Sequence, residues 1–366
     1  MSVILFLVIL SVLVFVHELG HFLAAKRFGV RVDEFAIGFP PRLFKKKVGE
    51  TLYSFNLIPF GGYVKIFGEN PDEDPAAANG AKDPRSFSNI ARWKQALILA
   101  SGVIFNIVFA WALFSIAYLS GMTTSVSDNS SKYVIDKHVM VIEVLEGSPA
   151  ARAGIMPGDS FIGIKSGSAA TSVVATVEEV QSAVRSSDGS ALGLEVLRNG
   201  APLALTVTPE QVSSTSNFAI GIAMDLAGKV KLPIHLAIWE GGKLTVDMFV
   251  GIAANLYGLI RDAFMGEADL SQVAGPVGIA RLVGDASSLG FIYLLSFTAF
   301  ISMNLAVLNL IPFPALDGGR ILFVAIEAIS RRPIKPVVAN TLNVLGFGLL
   351  ILFMLFVTYK DIAKLI

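Results

Sequence analysis

His17-Glu18-Leu19-Gly20-His21 is the stretch best suited to do chemistry. Histidines four apart on a helix lie about 40° apart around its axis at ~3.6 residues per turn, so both rings reach one ion. Two imidazoles suit zinc, and the carboxylate between them is placed to take a proton from a water that the ion activates. The setting sharpens the reading. From Val3 to Val16 the only polar residue is Ser11, so the motif sits in a segment that reads as a membrane helix. Ionisable groups there are costly and point to function. A chance match, or a pair of hydrogen-bonded core histidines, is the alternative, and it leaves three ionisable groups within five positions unexplained.

Two histidines need a further protein ligand. The run Ser302 to Arg320 offers one. Pro312 and Pro314 break an apolar helix, and Asp317 follows the break with Gly318 and Gly319 behind it. Asp317 is the best-placed carboxylate near the membrane. Its alternative role is to cap a helix from Gly318 to Ser330. Asn309, and with it Asn304, could hold a peptide or its oxyanion through side-chain amides, or could bond between helices.

The elements that position these groups follow from composition. The chain has 366 residues, 54% hydrophobic and 16% charged, with a mean hydropathy of +0.66. That is too apolar for an ordinary soluble protein and implies several spans around a polar domain. Zero net charge argues against a nucleic-acid partner, and the lack of cysteine excludes disulfides and thiolate metal sites. Four uncharged stretches are long enough to span: Val3 to about Ala25, Ala96 to Leu119, Phe291 to Phe313 and Thr341 to Tyr359. The run Leu244 to Ile260 carries Asp247 and several glycines, and we leave it out of the count. The N-terminal segment lacks a basic leader region and carries the metal motif, so we read it as a retained helix.

Charge sets the orientation. Lys26 to Lys94 holds 12 Lys/Arg against 8 Asp/Glu, whereas Ser120 to Gly290 holds 11 against 17. Short basic loops stay in the cytoplasm, so the N-terminus faces outward and the metal lies nearer the cytoplasmic face.

Between the first two spans, β-formers flank Pro59 and the Gly61-Gly62 pair, the pattern of a hairpin. Such a hairpin either closes the loop or dips toward the metal, where the edge at Gly61 and Gly62 offers backbone hydrogen bonds to an extended substrate. Glu69 to Pro84 reads as a linker. Asn106, in the second span, reads as a helix-packing hydrogen bond. After Ser120 the character changes. Val139 to Val144 alternates like a strand, and Gly147 to Ile162 resembles the corresponding stretch of bacterial PDZ domains. Thr176 to Val184 then reads as the groove helix, with Leu192 to Leu197 and Leu203 to Val207 as strands. His138 and His235 have no ligand partner at helical spacing. Trp239 to Phe264 reads as amphipathic, and Ala274 to Ala280 as irregular backbone along the outer membrane surface.

Taken together, His17-Glu18-Leu19-Gly20-His21, Asn309-Leu310-Ile311-Pro312-Phe313-Pro314-Ala315-Leu316-Asp317-Gly318-Gly319 and the PDZ-like stretch resemble the site-2 proteases. Within them the chain is most similar to the bacterial RseP type, here with a single PDZ domain. The Gly61-Gly62-Tyr63-Val64-Lys65 and Ala274-Gly275-Pro276 segments extend the likeness over nearly the whole chain. The resemblance implies a zinc-dependent endopeptidase of the inner membrane that cleaves membrane-anchored anti-sigma factors or remnant signal peptides. It also implies His17, His21 and Asp317 as zinc ligands, Glu18 as catalytic base, and Asn304 and Asn309 in substrate handling. The expected fold is a polytopic α-helical membrane protein of four transmembrane helices, with a membrane-associated β-hairpin and an inserted extracytoplasmic PDZ (α+β) domain. Its divisions are 1–119, a PDZ domain over 120–228, an amphipathic surface region over 229–290, and the last two spans over 291–366. Partners are transmembrane protein substrates and membrane lipids. The rival reading is a catalytically idle zinc-binding scaffold that binds partners through its PDZ domain. Retention of Glu18 argues against it.

Overall fold

The structure is a computed structural model that describes residues 2–69, 83–125, 133–166, 172–174, 176–198, 200–211, 218–267 and 273–363. Contacts divide the chain into two units, Met1–Ile116 with Ala237–Ile366, and Ala117–Leu236. The first unit opens with α1 (Ser2–Arg27). An apolar helix suits a membrane because it satisfies every backbone group internally. Lys26 and Arg27 complement the negative end of its dipole.

Strands β1 (Val32–Val48) and β2 (Thr51–Ile66) follow. Their register corrects the predicted hairpin. The tight turn lies at Gly49-Glu50, where Val48 pairs with Thr51 and Lys45 with Ser54. The far end of β2 does not fold back on its own first half. It pairs instead with the start of β1, Val32 opposite Ile66 and Ile37 opposite Gly62. The same β1 segment also contacts the near half of β2, Glu34 opposite Leu52 and Ile37 opposite Phe55, with both numbers rising together. Two bent strands thus make four sheet segments in the order 62–66, 32–37, 51–56, 42–48. Pro59 and Gly61-Gly62 mark a bend between segments rather than a two-residue turn. The sheet rests on α1 through aromatic edges, Phe22 against Phe35 at 5.2 Å and Phe15 against Phe35 at 5.8 Å between ring centroids. Phe15 and Phe22 bracket the metal motif, so the sheet fixes that part of the helix. The stretch 70–82, most of the predicted linker, lies outside the described residues. Helix α2 (Arg92–Ser120) comes next.

The second unit is a β-sheet with one main helix. Strands β3 (Met122–Ser125), β4 (Val134–Val144), β5 (Ser160–Ser166), β6 (Ser172–Val173), β7 (Leu192–Arg198), β8 (Ala201–Val207) and β11 (Ile222–Val230) form one sheet, ordered β3-β11-β4-β5-β7-β8 with β6 on β5. Two short strands, β9 (Glu210–Gln211) and β10 (Phe218–Ala219), pair with each other. Helix α3 (Val177–Ser186) starts at a capping box, with Thr176 and Glu179 satisfying each other's backbone. Val180 and Val184 press from α3 into a core of Val139, Phe161, Leu192 and Leu194. Strand β3 covers only Ala227 to Val230 of β11. Beside Ile222 and Met224 lies a cavity of about 330 Å³, lined also by Gln181, Val184 and Arg185 of α3. His138 is half-buried and His235 exposed.

The chain then returns to the first unit with α4 (Ile234–Met265), α5 (Pro276–Ser288), α6 (Phe291–Leu310), α7 (Asp317–Ser330) and α8 (Pro336–Ala363). Among the described residues five helices are long and apolar enough, by length and composition, to cross a membrane: the four expected segments lie in α1, α2, α6 and α8, and the fifth is α4. Asp247 and the glycines do not interrupt it, and although the 32-residue helix also carries Glu240 and Asp262, an apolar stretch long enough to span remains within it. One expectation is corrected here, since Ala274 to Ala280 is not irregular throughout. Gly275 is the N-cap of α5 and Pro276 its first residue, where the missing N–H costs nothing. Asp361 of α8 accepts the Gly278 N–H at 2.7 Å, placing a carboxylate on the positive end of α5. Helix α5 packs on α1 through Val283 against Ile9 and Leu13.

Candidate metal centre

Each donor reaches the centre for a local reason. His17 and His21 lie on the face of α1 that meets α2. A side chain at Gly20 would strike the Ser101 carbonyl of α2, so the glycine inside the motif is where the two backbones meet. Asp317 arrives from the opposite end of the chain. After α6 the Pro312-Phe313-Pro314 turn reverses the backbone, and side chains at Gly318 and Gly319 would strike main chain of Leu310 to Phe313. Ala315 takes φ +75°, and its N–H donates to Asn343 Oδ1 of α8 at 3.2 Å. Two ion pairs then hold α7. Arg320 pairs with Glu69 at the end of the sheet, and Glu327 with Arg92 of α2 at 2.6 Å.

The result is a cluster of three donors. His17 Nε2 lies 2.9 Å and His21 Nε2 3.4 Å from Asp317 Oδ2. The two Nε2 atoms are 3.2 Å apart. A tetrahedral zinc with bonds of about 2.0–2.2 Å separates its ligand atoms by roughly 3.3 Å, so these three atoms fit one ion. Asp317 is the first residue of α7, Leu316 is the cap position, and no side chain caps the helix. The capping alternative for Asp317 therefore fails.

Further observations fit the same ion. A Cβ built on Gly102 of α2 would lie 2.5 Å from His21 Nε2 and 2.8 Å from His17 Nε2, so the glycine keeps open the space between the two nitrogens. His21 Nδ1–H donates to the Ile98 carbonyl at 2.8 Å, which leaves the Nε2 lone pair free for a metal. The side-chain amide of Asn106 lies 3.2 Å from His17 Nδ1. Sequence reading missed Gly102 and gave Asn106 a packing role. The available signal was the spacing of Ile98, Gly102 and Asn106, four apart on one face of α2. Glu18 follows His17 directly and is half-buried.

The remaining predicted residues are not among the three clustered donors. Asn304 Nδ2–H donates to Phe300 O of its own helix at 2.9 Å, which leaves its amide oxygen and second N–H for other partners. Asn309 is half-buried in the last turn of α6. Gly62 belongs to the outer segment of the sheet, and Gly61, at φ +120°, to the bend before it.

The family model of peptidase family M50 matches residues 5–353. A protein of Clostridium perfringens named as a zinc metalloprotease is 35% identical over 364 residues, covering 99% of this chain and 98% of the relative. The zinc metalloprotease RasP of Geobacillus kaustophilus is 30% identical, covering 99% and 98%. The regulator of sigma-W protease RasP of Bacillus subtilis is 30% identical, covering 100% and 99%.

Proposed function

Because this chain belongs to peptidase family M50, the site-2 proteases, and is a zinc metalloendopeptidase, we propose that it cuts peptide bonds within the membrane-spanning segments of single-span proteins. In this reading His17, His21 and Asp317 hold the zinc and Glu18 is the general base. The observation that carries it is the convergence of three zinc-spaced donors from an apolar helix and a proline-broken one. When bound, zinc polarises the scissile carbonyl and acidifies a water. Glu18 takes the proton of the attacking water and passes it to the leaving amine. Asn309, and Asn304 through its free amide atoms, orient the peptide or its oxyanion. Helical substrate must unwind first, since its carbonyls are already hydrogen-bonded. The edge segment that starts at Gly61 and Gly62 receives the extended peptide by strand addition. Substrates of the anti-sigma type are favoured by the name of the Bacillus subtilis relative, a regulator of sigma-W. Remnant signal peptides share the same single-span chemistry.

Helix directions support four spans, and the basic loop between the first two supports an N-terminus outside. Ile98 lies by His21 and Asn106 by His17, so α2 runs antiparallel to α1. Ser302 of α6 meets Asn106, while Ala299 clusters with Ala110 and Phe114, so α6 runs antiparallel to α2. Helix α2 therefore ends on the side where α6 begins, and an unaccompanied α4 cannot cross between them. Its first half packs on α2, where Trp111 Nε1–H donates to the Ile238 carbonyl at 2.8 Å, and in this reading it stays on the outer side, with exposed Trp239, Tyr257 and Phe264 available to lipid. The unit Ala117–Leu236 is then an extracytoplasmic PDZ domain, a reading supported by the open segment of β11 beside α3.

Purified protein incubated with single-span model substrates should cut inside the span, and a chelator should stop it. Cuts confined to soluble loops would reject the intramembrane reading. For topology, Lys46→Cys should resist a membrane-impermeant thiol reagent in intact cells while Ser182→Cys reacts. The reverse pattern would invert the orientation.

A further inference from the structure

Asn106 is fully buried near the middle of α2. Its main-chain oxygen accepts the Ser302 Oγ–H of α6 at 2.9 Å, so helix packing is already served by backbone. Its side chain faces His17 Nδ1 at 3.2 Å. We infer that Asn106 is a positioning residue for the metal: its amide oxygen accepts the Nδ1 proton of His17 and so presents the Nε2 lone pair to zinc.

Proton counting carries the argument. Nε2 of His17 points at the donor cluster, so a metal there requires Nε2 without hydrogen. The single ring proton of neutral imidazole must then sit on Nδ1 and needs an acceptor. In the orientation observed, the amide nitrogen faces Nδ1, and Oδ1 has no hydrogen-bond partner. The two orientations of an amide are nearly isosteric, and the hydrogen-bond network decides between them. Turning the amide over exchanges one unpartnered buried atom for another, so that cost is the same in both orientations. The bond to His17 therefore decides. With Nε2 given to metal, a nitrogen facing Nδ1–H sets donor against donor, whereas an oxygen makes a hydrogen bond.

Helix α2 then serves both histidines from one face. The Ile98 carbonyl accepts from His21, the Asn106 amide accepts from His17, and Gly102 midway between them leaves room for the ion. Two ligands that belong to one helix are thus set in their metal-binding tautomers by its neighbour.

The inference rests on His17 being a zinc ligand, and the experiment separates the two. Zinc affinity is measured on the full-length chain in detergent by competition with a chromogenic chelator, with circular dichroism as the control for folding. Asn106→Leu, which fills the space without accepting a hydrogen bond, should weaken zinc binding by about 10- to 100-fold. Asn106→Asp, an acceptor in both orientations, should bind zinc at least as tightly as the native residue. A mere packing role predicts the opposite order, because it would penalise the buried carboxylate most. Ser302→Ala removes the interhelical bond and should leave zinc affinity unchanged. Unchanged affinity in Asn106→Leu, Asn106→Asp binding more weakly than Asn106→Leu, or an equal loss in Ser302→Ala would each overturn the inference. If the leucine variant does not fold, Asn106→Asp decides alone, with native affinity supporting the inference and a large loss overturning it. His17→Ala is run in parallel. Zinc retained there overturns the ligand assignment itself, whereas zinc lost there but kept in Asn106→Leu overturns only the role of Asn106.

Discussion

Glu18→Gln should keep about one zinc per chain yet lose proteolysis by at least 10²–10⁴-fold, the contribution typical of a positioned general base. Glutamine matches glutamate in size and shape, so the two histidine ligands on the same helix keep their places. What disappears is the ability to take a proton from water and return it to the amine. Elemental analysis alongside single-turnover cleavage of a single-span substrate separates the two effects. Native turnover by the zinc-loaded variant would reject Glu18 as the base. Loss of zinc together with activity would show that the residue holds the site together rather than working in it.

Gly102→Ala should abolish zinc binding and, with it, activity. The added methyl would lie 2.5 Å from His21 Nε2 and 2.8 Å from His17 Nε2. Those are the atoms a zinc ion must approach to about 2.0–2.1 Å. The imidazoles can swing away from a methyl, but doing so dissolves the donor cluster, so relaxation does not rescue the site. Overpacking of this kind costs about 1–3 kcal/mol of stability, tolerable for the fold and fatal to the ion. Gly348→Ala on α8 is the control. Nothing lies within 4 Å of a methyl there, and the change should leave zinc untouched. Full zinc occupancy in Gly102→Ala would disprove the geometry of the centre.

These two residues also show what a sequence can disclose. Glu18 is legible because the histidines and the base occupy consecutive turns of one helix, and their spacing is local. Asp317 is legible because prolines and glycines have backbone consequences that do not depend on partners. Gly102 and Asn106 are not legible in the same way. In an apolar helix a glycine or asparagine has an ordinary packing meaning, and only the antiparallel approach of α1 brings them beside His17 and His21. The sheet failed for a related reason. Pro59 and Gly61-Gly62 correctly announce a change of direction, but bends and turns use the same residues, and the choice of partner strand is made at a distance. Gly275-Pro276 is different, since glycine at the cap and proline at the first position are a helix start that could have been read. For α4, an apolar stretch long enough to span persists around Asp247.

The Asp317 oxygen and the His17 nitrogen that meet in the centre are separated by 300 positions along the chain. At the ~5–20 residues per second of synthesis, that interval takes roughly 15–60 s. During it the proposed base Glu18 and the proposed ligands His17 and His21 are already made, while Asp317, which would complete the site, is not. The Asp361 carboxylate that caps α5, the helix packed on α1, is made later still. On the proposed ligand assignment the nascent protein is an unarmed hydrolase until Asp317 is made, and the separation of its ligands along the gene acts as a delay before it can cut.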